Sequence, residues 1–136
     1  MTRSAVAANW AEIPVEQVRP GVSRQGFGTD EMILVMNRIE TEIEVKPHFH
    51  ADFDQIATIV SGHAIYHVGD VAHEVGPGSL LLIPAGVTHF IEPRGDEPIH
   101  NLDIFAPARE DYRHLLDWMN RDYPEASPAQ DLEEPS

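Results

Sequence analysis

Residues 78–89 read GSLLLIPAGVTH. A glycine leads into an apolar run, and Pro84, Gly86 and His89 follow at short fixed intervals. Proline presets one backbone torsion and glycine accepts torsions closed to other residues, so Pro84 and Gly86 favour a tight turn. That turn ends the apolar run and aims His89 back across the chain. Upstream, residues 48–62 read HFHADFDQIATIVSG. Side chains two apart on an extended strand share a face, so the imidazoles of His48 and His50 can converge. His89 is aimed to join them, and imidazoles gathered at one point suit a transition metal.

Around these two stretches the chain reads as short strands with frequent punctuation. MILVMNRIE (32–40) is apolar and strand-like, and TEIEVKPHFH (41–50) alternates in polarity. QIATIVSG (55–62) reads as a strand closed by Gly62, and residues 64–78 as a hairpin about Gly69-Asp70. SLLLIPAG (79–86), THFIEP (88–93) and IHNLDIF (99–105) complete the set. Strands this short and evenly spaced predict an all-β antiparallel double sheet, closed as a sandwich or barrel, not βαβ units. The expected boundaries are an N-terminal arm with edge strands at 1–30, a barrel at 31–108, and a helix at 109–123. Tyr112, Leu115, Leu116 and Met119 fall on one helical face. Residues 124–136 are acidic and Pro-rich, and are expected to be disordered.

Composition narrows the function. The 136 residues suit one domain, and 42% hydrophobic content suffices for its core. The net charge of -14 argues against nucleic acid and anionic membranes as partners, since both are bound through Lys and Arg. With no cysteine, disulfides, thiolate metal sites and cysteine nucleophiles are excluded. No apolar run approaches a membrane span and no leader is visible at the start, so a cytoplasmic location is the expectation.

The two stretches resemble the paired motifs of the cupins, G-x5-H-x-H-x3,4-E-x6-G and G-x5-P-x-G-x2-H-x3-N. The second agrees from Gly78 through His89, with Pro93 where the family has asparagine. The first agrees at His48, His50 and Gly62, with Glu42 in place of the leading glycine and Gln55 in place of the glutamate. The resemblance implies a cupin jelly-roll barrel with a short C-terminal helix and a divalent metal in the lumen. Asp54 is the rival fourth ligand, because the motif allows either spacing, although strand parity from Gly62 prefers Gln55. Three histidines and an amide bring no negative charge. A metal so held keeps its full charge, which suits Lewis-acid work on an anionic substrate. The donor set fits zinc, nickel, iron, copper or manganese. His63, His67, His73, His100 and His114 are expected in ordinary surface or interface roles.

Residues 100–111, HNLDIFAPARED, carry a second constellation. Alternation puts Asn101, Asp103 and Phe105 on one face and His100, Leu102 and Ile104 on the other. Residue chemistry alone favours Leu102 and Ile104 for the core and Asp103 for water. Yet LDIFAPARED is similar to the LDxFxPxRxD segment of the KdgF family, small single-domain cupins of uronate catabolism, and an early Trp segment like NWAEIP extends the likeness. That resemblance places Asp103 and Phe105 in the lumen. It implies His48, His50, Gln55 and His89 as metal ligands, and Asp103, Phe105 and Arg109 as catalytic residues. Asp103 would move protons, Arg109 would hold a carboxylate, and Phe105 would pack on a sugar ring. The implied reaction converts a 4,5-unsaturated uronate monosaccharide to its linear keto form. Alternatives are a metal-dependent dioxygenase or polyketide-cyclase-like cupin, and a non-catalytic small-ligand binder. A homodimer is also expected, with Leu102 and Ile104 facing outward.

Overall fold

The computed structural model describes residues 5–122, so the 124–136 stretch lies outside the described residues. Nine strands form two antiparallel sheets. They are β1 (Glu16–Arg19), β2 (Val22–Gly28), β3 (Ile33–Ile39), β4 (Gln55–Ser61), β5 (His63–Val68), β6 (Val71–Val75), β7 (Leu80–Ile83), β8 (His89–Arg94) and β9 (Ile99–Phe105). The larger sheet runs β1-β2-β3-β9-β4-β7 and the smaller β6-β5-β8. The expected all-β jelly roll is therefore present, with two N-terminal strands extending the larger sheet.

Alternation decides which faces meet. Ile39, Ala57, Ile59, Ile83 and Ile99 of the larger sheet pack on Ala64, Tyr66 and Val75 of the smaller. A second apolar cluster joins Ile33, Val35 and Phe105 to Ala108 and Leu115 beyond the last strand. Between these clusters, β3 and β9 turn three polar side chains inward: Asn37, Asn101 and Asp103. Asn37 pairs with Asn101, and Val35 with Asp103, across β3 and β9. The sandwich is thus apolar at both ends and polar in the middle.

Gly62 links the two sheets. Its φ is +88°, and a Cβ there would sit 2.6 Å from the Pro98 carbonyl oxygen and 2.8 Å from Ile99 Cα. Only glycine lets β4 reverse into β5 against that backbone.

Two expectations are corrected. Residues 41–50, read as a strand from their alternation, form no strand. The segment stands outside both sheets except at one isolated bridge, His48 to His89. Only Thr41, Ile43 and His50 are partly buried there and the rest is exposed, including Pro47, which has no N–H to donate to a ladder. The helix expected from Arg109 begins instead as a 3₁₀ segment, Glu110–Leu116, and becomes α-helical (α1) only at Asp117–Asp122. Of the expected helical face, Leu115 and Met119 are buried, and Tyr112 and Leu116 are partly so.

Candidate metal centre

His48, His50 and His89 come together at the mouth of the barrel. One ring nitrogen from each lies within 4.8 Å of the others. The local chain explains the convergence. Gly86 N–H donates to the His50 carbonyl at 2.7 Å, which pins the 48–50 segment to the Pro84–Gly86 turn. The His48 and His89 backbones then exchange two hydrogen bonds. The ring Nδ1 of His48 lies 3.1 Å from the Lys46 carbonyl oxygen, and that of His89 3.0 Å from that of Val87. A carbonyl accepts only, so Nδ1 carries the proton in both rings and Nε2 keeps its lone pair. In His89 that Nε2 is buried and has no hydrogen-bond partner.

Gln55 opens β4 and is buried beneath this cluster. Its Nε2 donates to Asp103 Oδ1 at 2.7 Å, and its Oε1 is buried without a partner. Asp54, the rival, is exposed and accepts the Ala85 N–H at 2.9 Å. The geometry therefore turns Gln55, not Asp54, into the lumen. Two orphaned buried atoms, Gln55 Oε1 and His89 Nε2, beside two further imidazoles are what a divalent metal with nitrogen and oxygen ligands needs.

Asp103 lies at the polar centre. Besides Gln55 it accepts Asn101 Nδ2 on Oδ1 and Asn37 Nδ2 on Oδ2, each at 2.9 Å. Burial pushes its carboxyl up to about 6, against the three amide donations and the positive charge of Arg109. The same enclosure acts oppositely on the histidines. Burial, then the charge of Arg109, lowers His50 to about 4, and burial also lowers His89. Neutral imidazoles are the metal-ligating form.

Arg109 closes the near side. Its guanidinium carbon lies 4.2 Å from the centre of the Tyr112 ring, 4.8 Å from that of Phe53 and 5.1 Å from that of Phe105. Nε donates to Asp111 Oδ1 at 3.0 Å and Nη2 to Oδ2 at 2.5 Å, while Nη1 is buried with no partner. Phe105 is only 1% exposed, and His50, Phe53, Tyr112 and Arg109 surround its ring. The Phe105 ring supports Arg109 and His50. Phe53, which stacks on His50 at 5.0 Å, is the less buried aromatic here.

Sequence assigned Asn37, Asn101, Phe53 and Tyr112 no role in the site, although it put Asn101 on the face of Asp103 and Tyr112 on the helical face. Asn37 carried a signal, as a polar residue on the parity of Val35 and Ile39. The other histidines sit where ordinary roles put them: His67 on Glu92, His100 on Ser61 and His114 on Glu16. Among the described residues no other group of three His, Cys, Asp or Glu gathers its ligand atoms so closely, and no helix is long and apolar enough to cross a membrane.

Comparison with known proteins agrees with this fold. Residues 35–105 match the family model described as the cupin domain. An acireductone dioxygenase of Exiguobacterium sibiricum is 28% identical over 93 residues, which is 61% of this chain and 51% of that protein. The chain thus spans about half the length of that relative. The solved structure of KdgF from a Halomonas species superposes with a TM-score of 0.72 at 23% identity, covering 79% of this chain and 98% of that one. An RmlC-like cupin from Shewanella frigidimarina superposes with a TM-score of 0.70 at 25% identity, covering 82% and 99%.

Proposed function

Since the chain belongs to the cupin domain family, we propose that it is a metal-dependent enzyme of the KdgF kind, converting a 4,5-unsaturated uronate monosaccharide to its linear keto form. One observation carries the reading. Three uncharged imidazoles, a carboxylate bonded to Gln55 and an arginine with an unpartnered buried Nη1 are joined through direct contacts, Gln55 to Asp103 and His50 to Arg109 across Phe105. His48, His50, Gln55 and His89 would hold one divalent ion, which when bound supplies Lewis-acid polarisation of a substrate oxygen.

The chain's own residues do the rest. Arg109 Nη1 takes an oxygen of the substrate carboxylate, while Asp111 and the three rings keep the guanidinium in place. Asp103 has two amide donors on Oδ1 and one on Oδ2, so Oδ2 retains a spare lone pair. It takes the proton of the hemiacetal hydroxyl as the ring C–O bond opens to an aldehyde and an enolate, and returns that proton to the enolate carbon to give the ketone. Substrate and product are isomers, so no co-reactant is consumed. Small anionic substrates follow from Arg109 and the uncharged ligand set.

The test is direct. Metal-loaded protein is mixed with unsaturated galacturonate and loss of the double-bond absorbance is followed. Rates equal to buffer reject the reading. Arg109→Lys keeps the charge but loses the planar fork, and should raise KM about 10-fold or more.

A second reading rests on the acireductone dioxygenase relative. The same uncharged set would bind an enolate for attack by oxygen, as an oxidative cupin. Oxygen uptake with enediol or diketone substrates, in place of uronate turnover, would establish it. We also infer a homodimer, formed through the outer face of the larger sheet.

A further inference from the structure

Three carboxamides converge on Asp103, and one of them belongs to the metal set proposed above. Gln55 and Asn101 donate to Oδ1 at 2.7 and 2.9 Å, and Asn37 donates to Oδ2 at 2.9 Å. A carboxamide in place of Asp103 could not accept all three, because its own NH2 would face one of them. A carboxylate accepts at both oxygens and can.

This convergence has a directional consequence. With the Gln55 amide reversed, its oxygen would stand 2.7 Å from a carboxylate oxygen with no proton between them. Nε2 must therefore face Asp103, and Oε1 faces away, where it is buried and unpartnered. The carboxylate is in turn fixed by Asn37 and Asn101. These two residues are paired across β3 and β9, and Asn101 is 4% exposed. Asn37 also reaches the backbone oxygens of Val35 and Asn101 at 3.3 and 3.4 Å, so its own amide direction is set by the sheet.

We propose that Asn37, Asn101 and Asp103 form a clamp that presents Gln55 Oε1 to the imidazole cluster, so that all three are positioning residues of the metal site. The inference rests on the metal reading above but not on the uronate reaction. It assigns Asp103 a task besides proton transfer. It also accounts for two polar residues that β3 and β9 hold between apolar clusters, at a cost in burial that an apolar pair would avoid.

The test is a double-mutant cycle read by zinc affinity, measured on the full chain against a chromophoric chelator with no substrate. Asn37→Leu is close in shape and removes one donor to Asp103. It should weaken zinc binding by about 10- to 100-fold. In a Gln55→Ala background the same change should cost less than about 2-fold, because the residue it acts through is gone. Unchanged affinity after Asn37→Leu, or an equal loss in both backgrounds, overturns the clamp.

Should Asn37→Leu fail to fold, Asn37→Ser, whose shorter side chain retracts the donor, takes its place with the same expected pattern. A metal-free measurement stands beside it. In 15N-labelled protein the Gln55 side-chain NH2 should show slowed exchange with solvent, and free exchange overturns the clamp. Failure of uronate turnover leaves all of these results standing. Wild-type protein that binds no zinc fails the metal reading instead, and the NH2 exchange alone then decides the clamp.

Discussion

His48 and His89 hold each other by a reciprocal pair of backbone hydrogen bonds, His48 N–H to the His89 carbonyl at 3.1 Å and the reverse at 2.8 Å. Their rings stand 4.2 Å apart, centre to centre. The two residues come from distant parts of the chain, so the bridge only exists in the folded protein, and the site with it. Metal binding should therefore act as folding energy. Zinc or nickel at 100-fold over its Kd should add about 2.7 kcal/mol of stability, roughly a 10 °C rise in Tm for a domain of this size. A thermal melt with and without metal checks this. His89→Ala should abolish the rise, and a rise that survives places the metal elsewhere.

Gly62 and Gly78 both have positive φ, +88° and +92°, but differ in their surroundings. A Cβ at Gly62 strikes the backbone of Pro98 and Ile99, whereas one at Gly78 meets nothing within 4 Å. Gly78→Ala should cost only the left-handed penalty, about 1–2 kcal/mol. Gly62→Ala should cost clearly more, about 3 kcal/mol or above, since β5 cannot move away from that backbone. Denaturant midpoints of the two variants check the order, and equal losses would show that the 62–63 turn relaxes freely.

The fold was legible because both motifs encode turns. Pro84 with Gly86, and Gly62, each mark a place where chain direction is set by torsion alone, and hydrophobic alternation supplies the strands between. The three-histidine cluster was legible because both motifs carry it, His89 just after the Pro84–Gly86 turn and His48 and His50 in the segment bonded to that turn. The segment 41–50 misled because alternation reports one-sided burial, and a loop lying on a barrel mouth has that as surely as a strand does. Phe105 took its expected sugar contact from the family resemblance, and its neighbours His50, Phe53, Tyr112 and Arg109 are visible only in the fold. Asn37 and Asn101 were given no role because a single asparagine in a strand has no motif. Their meaning arises only from register, which pairs them across β3 and β9.

Glu16 ties the first strand to β2 and to the C-terminal segment. It accepts Arg24 Nε at 2.7 Å and lies 2.6 Å from His114 Nε2. Burial alone would raise its pKa, but the bonds and charges of Arg24 and His114 outweigh that and hold it below the ordinary glutamate value. A carboxyl lowered in the folded state stabilises above its unfolded pKa, and that contribution is lost as pH falls through the folded one. Glu16→Gln should therefore lose stability at pH 7 and show a shallower decline on acidification below about pH 5. Both groups are partly in water, so the loss should be under about 1 kcal/mol. Parallel urea titrations at neutral and acid pH measure it, and an unchanged acid slope would assign the decline to other carboxylates.

The outer face of the larger sheet sets the last expectation. Register places Ile56 opposite Leu82 and Thr58 opposite Leu80 on β4 and β7, with Ile104 and Leu102 beside them on β9. Leu80 and Leu82 are 73% and 65% exposed, and Ile56 and Val60 are also exposed. These side chains are uncharged, in a chain of net charge -14. Two copies repel over most of their surfaces and can meet closely only where charge is absent. β7 is moreover the edge of its sheet, with backbone groups open to pairing. A second copy seated on this face would bury both features at once. Leu82→Lys puts a charge on its edge strand, and the double variant with Leu80→Lys puts two. If the proposed dimer forms through this face, each should shift it to monomer in analytical ultracentrifugation without lowering zinc affinity, because Gln55 and the histidine cluster lie on the opposite side of β4. A wild-type protein that sediments as a monomer at tens of micromolar rejects the homodimer, and variants that stay dimeric move the interface to another face.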